Sequence, residues 1–174
     1  AGNNFEKAVL LDSVEANKVD YLKAMASDYE AQKKFKEAAD WYSKILGVKA
    51  NLTKTDIYNA GFNYFRVGDY NTAIPILTRY TEKFPQDIFG FYMLGKANAA
   101  LDSTDQDSLA VPFFQRAVEI GETAQDKSKV KPQLLATYKF FIEYYYNVKK
   151  DKDTALIYID KALLLEPADE QLIQ

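Results

Sequence analysis

The carboxylates whose spacing comes nearest to a metal loop are those of Asp102-Ser-Thr-Asp105-Gln-Asp107-Ser. A helix–loop–helix calcium site needs a central glycine for its sharp turn and a bidentate Glu at its twelfth position. The glycine is missing, and the residue eleven after Asp105 is Arg116. The segment reads instead as a turn between helices, rich in N-cap acceptors. Gly90-Phe-Tyr-Met-Leu-Gly95 has two glycines but falls inside a predicted helix with no preceding strand, so it is no phosphate loop. No Gly-x-Ser-x-Gly occurs. The 174 residues include neither His nor Cys. Thiol nucleophiles, disulfides, the usual zinc ligand sets and every arrangement that needs an imidazole are therefore absent. No convergent set of activated groups emerges, so neither catalysis nor a cofactor nor a metal is expected.

Composition narrows the partners. Lys plus Arg is 22 and Asp plus Glu is 25, for a net charge of −3 with the signs interspersed. Nucleic acid calls for a concentrated basic face and is not expected. The basic clusters Lys33-Lys34-Phe-Lys36, Lys127-Ser-Lys129-Val-Lys131 and Lys149-Lys150-Asp-Lys152 fall where turns are predicted and read as solvated helix ends. No apolar run reaches the ~20 residues of a membrane span. The chain opens with Ala1-Gly2-Asn3-Asn4 rather than Met, so a targeting segment removed upstream would leave no trace; cytoplasm and periplasm both fit. Thirteen Tyr and eleven Phe are what remain, the residues of a binding surface as much as of a core.

Those rings must be positioned by helices. A small residue followed by apolar anchors recurs around Ala38, Ala73, Ala110 and Ala155, at spacings of 35, 37 and 45 residues. A period slightly above thirty marks a helical array whose units each bury an apolar face on a neighbour. Upstream stripes match: Leu22, Met25, Ala26 and Tyr29; Ile57, Ala60, Gly61 and Tyr64; Phe91, Leu94, Gly95 and Asn98. Each has the spacing of one helix face, with a small residue where another helix comes close. Turn signals separate the helices. Gly68-Asp69 offers a left-handed C-terminal residue and an N-cap, Thr53-Lys-Thr-Asp56 a capping box, and Phe84-Pro85-Gln-Asp87 a stop and a cap. No alternating pattern predicts a strand. Pro75 and Pro112, each two residues after a repeat alanine, predict helices that start late or bend there.

Gly61, Tyr64, Gly68, Tyr70, Ala73 and Pro85 give the second unit a pattern that resembles the tetratricopeptide repeat (TPR) family of bacterial type, and the other units repeat it in phase. The third unit carries extra residues in its acidic loop, and the fourth has Phe141 and Ile142 where the family prefers a small residue. The resemblance implies an all-α, right-handed superhelix of about four helix–turn–helix pairs with a concave groove. The predicted repeats span about 19–52, 54–87, 88–124 and 132–167, with a tail at 168–174. Residues 1–15 resemble the closing half of an earlier repeat, as in a piece of a longer protein.

The resemblance also places a stripe of each first helix in the groove. The residues expected to meet a partner are Lys23; Tyr58, Asn59, Phe62 and Arg66; Phe89, Tyr92 and Lys96; Lys139 and Glu143. Asp20, Ser27 and Tyr146 lie on the same stripes. Members of the family that hold the C-terminal carboxylate of heat-shock chaperones use a clamp of Lys, Asn and Arg. Here Lys23 and Asn59 occupy two of its places but Ser27, Phe89 and Met93 occupy others, so that ligand is not expected. The leading expectation is a non-enzymatic scaffold holding a peptide or helical segment of a partner protein. The alternatives are a glycan-binding or envelope-transport accessory using the aromatic residues, and a self-association module. Arg66, Lys96 and Lys139 favour peptide over sugar. The last predicted helix, Thr154 to Leu165, leaves Leu156, Ile157 and Leu164 away from its partner helix. The expectation there is either cover by another segment of a longer chain or, preferred, a homodimer through the C-terminal helices.

Overall fold

The computed structural model describes residues 11–102 and 109–169, together with residues 4, 7 and 9. The expected opening half-repeat falls partly outside the described residues, as do most of the acidic loop and the end of the tail. Among the described residues the chain is all-helical, with no strand. In chain order the helices are α1 (Glu15–Ala31), α2 (Phe35–Val48), α3 (Lys54–Arg66), α4 (Tyr70–Lys83), α5 (Ile88–Leu101), α6 (Val111–Thr123), α7 (Lys127–Glu143) and α8 (Lys152–Leu165). A π-helical turn, Tyr144–Lys149, extends α7. The chain divides into two compact units, residues 1–85 and 86–174.

The helix boundaries follow local chemistry. Thr53 and Asp56 form the capping box of α3. Asp69 caps α4, accepting from the Thr72 N–H, and follows Gly68 at φ +77°, a conformation that costs a residue with a side chain about 1 kcal/mol. Asp87, Asp126 and Asp151 cap α5, α7 and α8. Each supplies an oxygen to an N–H that the helix itself cannot satisfy.

The two prolines behave differently. Pro112 is the second residue of α6, where its missing N–H is of no consequence, and the helix does start late. Pro75 is the sixth residue of α4, so that helix does not start late. The carbonyl deprived of a donor is that of Asn71, and both residues are exposed, so water can satisfy it. Pro132 occupies the equivalent sixth position of α7, which begins at Lys127. The 127–131 lysine cluster is thus the first turn of a helix rather than a C-terminal end. Lys127 is accommodated by reaching back, its Nζ donating to the carbonyls of Gly121 at 2.9 Å and of Glu122, at the end of α6.

In the first unit, successive helices α1 to α4 pack each on the next. Val19, Leu22, Met25 and Ala26 of α1 meet Ala38, Trp41, Tyr42 and Ile45 of α2, with Ala60 of α3. Trp41 is buried under the Lys44 ammonium, 3.9 Å from the ring centroid. In the second unit α5 packs on α6, α6 on α7 and α7 on α8, and α5 also touches α7. Its core holds Ile88, Phe114, Ala117, Leu134, Tyr138, Phe141 and Ala162. Gly95 shows why the small position is needed. A Cβ there would lie 2.6 Å from the Phe114 ring, which no rotamer change of a buried phenyl can relieve. The repeat alanines 38, 73, 110, 155 are buried, and each lets its helix approach its neighbour.

Candidate partner-binding surfaces

In the first unit, α1 and α3 carry the residues expected in the groove. Tyr58 and Phe62, one turn apart on α3, stack at 5.2 Å with 21° between their planes, and both are half-buried. Burial raises the Tyr58 hydroxyl pKa, and the nearby Glu30 carboxylate raises it further. Arg66 is exposed but engaged by its own chain. Its guanidinium lies 3.5 Å from the Phe35 centroid, 5.6 Å from that of Phe62 and 3.6 Å from the Glu30 carboxylate. Glu30 also accepts from the Tyr42 hydroxyl at 3.1 Å. Arg66 therefore joins the end of α1, the start of α2 and the end of α3.

Lys23 is similarly engaged, 3.4 Å from Asp56 Oδ1. Asp56 is buried and accepts from Lys49 Nζ at 2.5 Å and from the Thr53 N–H and hydroxyl at 2.8 and 2.7 Å. Burial by itself would raise its pKa, but Lys49 and the two Thr53 donors outweigh it and hold the carboxyl at about 2. The Asn59 carbonyl accepts from Asn63 Nδ2 at 2.9 Å, so at Asn59 the structure shows a backbone contact. The buried Asn63 Oδ1 has no hydrogen-bond partner within the protein.

In the second unit, four of the expected residues come together. Tyr92 and Lys96 on α5 and Lys139 and Glu143 on α7 line an open cleft of about 300 Å³ with Ala99, Phe114, Ala136 and Phe140. Tyr92, Phe114 and Phe140 make its aromatic wall, with Phe114 and Phe140 at 4.3 Å and Tyr92 and Phe114 at 6.3 Å. The Lys96 ammonium stands 5.6 Å from the Tyr92 centroid. Lys139 is paired with Asp169, just past α8, at 2.6 Å, and Lys131 on the same helix holds Glu166 at 2.7 Å. Phe89 is half-buried near the start of α5, where its N–H donates to Asp87, and it is not among the side chains lining the cleft.

Phe114, which lies on none of the expected stripes, both seats Gly95 and lines the cleft. Phe140, likewise outside those stripes, lines it too. Glu30 and Asp169 carried no sequence signal, because each meets its lysine or arginine across thirty or more residues of chain. Among the described residues, no group of three or more Asp or Glu is placed to hold a metal ion. No described helix is long and apolar enough to cross a membrane.

No protein-family model matches the chain, and no curated protein matches it. Solved structures do. The C-terminal part of a TPR repeat-containing protein from Cytophaga hutchinsonii superposes with a TM-score of 0.81 at 22% identity, over 98% of this chain and 64% of that one. This chain thus spans less than two thirds of that structure. YrrB, described as a TPR protein with an unusual peptide-binding site, gives 0.59 at 20% identity over 98% and 81%. MamA from Desulfovibrio magneticus RS-1 gives 0.60 at 19% identity over 97% and 94%. The fold is that of the tetratricopeptide repeat, built from antiparallel helix pairs. The solved structures that this chain resembles are TPR repeat proteins.

Proposed function

We propose that the chain is a non-catalytic interaction scaffold and that its second unit holds a peptide or helical segment of a partner protein in the α5–α7 cleft. The observation that carries this reading is the cleft itself. Three aromatic rings form an apolar wall, and Lys96, Lys139 and Glu143 stand at its edges. A wall of rigid rings with a few polar groups is the composition of an interaction hot spot. The protein described as having an unusual peptide-binding site shares the fold, which supports a peptide as the ligand class.

The ion pairs refine the expected ligand. Lys23, Arg66 and Lys139 already face Asp56, Glu30 and Asp169. A partner's acid would have to displace an internal carboxylate at each, so affinity comes mainly from apolar and aromatic side chains seated on the wall. The first-unit residues Tyr58 and Phe62 then serve as a secondary aromatic surface, and Arg66 as its support.

The test is selection of peptides from a random display library on the 174-residue chain, followed by binding to variants. Ala136→Arg fills the cleft from a half-buried wall position, and Tyr92→Ala removes one ring. Both should weaken the selected peptides about tenfold or more, equivalent to ~1.4 kcal/mol, with the helical signal retained. Peptides that bind both variants as well as the parent, or no enrichment at all, would overturn the cleft as the site.

A further inference from the structure

We infer that the outer face of α8 is a self-complementary surface on which a second copy of this chain docks antiparallel. The repeats supply their own control. Two residues after the repeat alanine stand Asp40, Pro75 and Pro112, and nine after it stand Gly47, Glu82 and Glu119. The fourth unit puts Ile157 and Leu164 at these positions, 53% and 83% exposed. Nothing in the packing of a helix pair asks for apolar groups there. A further helix pair covers such positions only in part: Asp40, the first-unit equivalent of Ile157, is half-buried and accepts from the Tyr64 hydroxyl of α3 at 2.7 Å. Helix α6 is followed in its own unit by α7 and α8, and Pro112 and Glu119 still face water. Helix α2 is followed by α3 and α4, and Gly47 is exposed. At the Leu164 position this surface is therefore distinct from the end left open where an array stops, and all of it is distinct from the α5–α7 cleft.

The occupant follows from the order of residues along the stripe. Ile157, Asp160, Lys161 and Leu164 read apolar, acid, base, apolar. Turned end for end, the same stripe reads apolar, base, acid, apolar. Two copies related by a two-fold axis passing between Asp160 and Lys161 thus place Ile157 on Leu164 of the other copy, and Asp160 on Lys161 of the other copy, twice each. A parallel arrangement would put like charges together, which is unfavourable. Lys161 already lies 2.8 Å from Glu122, so Asp160 of the other copy shares that ammonium with an internal carboxylate, which weakens the pairing. Leu156, 57% exposed, lies beside the strip, but its first-unit equivalent Ala39 is fully buried, so it belongs to the face that a following helix would cover. A single pair of helices buries little area, so the dimer is a weak and reversible one.

Sedimentation equilibrium of the 174-residue chain from about 10 μM to about 1 mM should show monomer passing to dimer. Leu164→Glu, at a site too exposed to affect folding, should raise the dissociation constant about tenfold or more, and Asp160→Lys should do so by like-charge contact. The register is tested by cysteines in a chain that has none of its own. A mixture of Ile157→Cys and Leu164→Cys proteins should cross-link into the mixed dimer under mild oxidation, and each alone should do so far less. A monomer throughout the range would overturn the inference. So would a dimer indifferent to Leu164→Glu, or cross-linking of Ile157→Cys with itself in preference to the mixture. None of these outcomes bears on peptide binding in the cleft, which the Ala136→Arg variant reports separately.

Discussion

Asp56 and Arg66 show how far a single residue's role depends on its company. Asp56 was legible in the sequence as the N3 partner of Thr53, because that interaction is local. Its two lysines were not, because Lys23 arrives from another helix and Lys49 from the preceding turn. The carboxyl is ionised in the fold down to about pH 2, against an ordinary value of 3.8. A group whose folded pKa is depressed gives stability that is present above its unfolded pKa and is lost as pH falls through the folded one. The stabilisation should therefore be complete above about pH 4 and gone near pH 2, and is worth about 2 kcal/mol. Asp56→Asn should lower the melting temperature at neutral pH by that equivalent. Denaturant melts at stepped pH check it, since the gap between parent and variant should close toward pH 2. Arg66 makes the opposite point. The family resemblance places it in the groove; in the structure it is exposed and engaged by Glu30 and the Phe35 ring, neither of which could be paired with it from sequence spacing.

At the scale of elements, what the sequence revealed was what repeats. The buried alanines at 38, 73, 110, 155, the Gly68 turn and the Asp and Thr caps are all short-range signals, and all stand where local spacing put them. The start of α7 was obscured by its lysine cluster and by Pro132, both of which argue locally against a helix interior. The cleft was half legible. Tyr92, Lys96, Lys139 and Glu143 lie on the stripes that the family resemblance assigns, while Phe140 needed the structure to separate it from Phe141 beside it. Phe141 is fully buried and stacks on Tyr158 at 4.8 Å. The contact between α5 and α6 depends on the absence of one carbon. Gly95→Ala should destabilise the second unit by about 1–3 kcal/mol, because Phe114 has no room to retreat. Thermal melts of this variant should fall, while Gly47→Ala, whose Cβ meets nothing within 4 Å, should leave stability unchanged or raise it.

At the scale of the whole molecule, the described residues hold two hydrophobic cores, one per unit, each assembled from neighbours in sequence. Arrays of this kind gain stability from local interfaces, so unfolding need not be all-or-none. Amides of α1 to α3 and those of α6 to α8 should exchange with solvent at two distinct free energies in mild denaturant. Gly95→Ala should lower only the second. A single common opening energy for both sets would show that they unfold as one.

The lone tryptophan gives this division an optical consequence. Trp41 is buried in the first unit's core with a lysine ammonium against its ring, and no tryptophan exists elsewhere in the chain. Its emission is thus an internal dye for residues 1–85 alone. The second unit instead gathers Tyr138, Tyr144, Tyr145 and Tyr158 around Phe140 and Phe141, with ring centroids of neighbours at 4.8 to 6.0 Å. Rings held so close at fixed angles couple their transitions, but seven of the thirteen tyrosines lie in residues 1–85, so the near-ultraviolet band reports on both units. Of the two optical signals, the tryptophan emission alone follows one half of the chain.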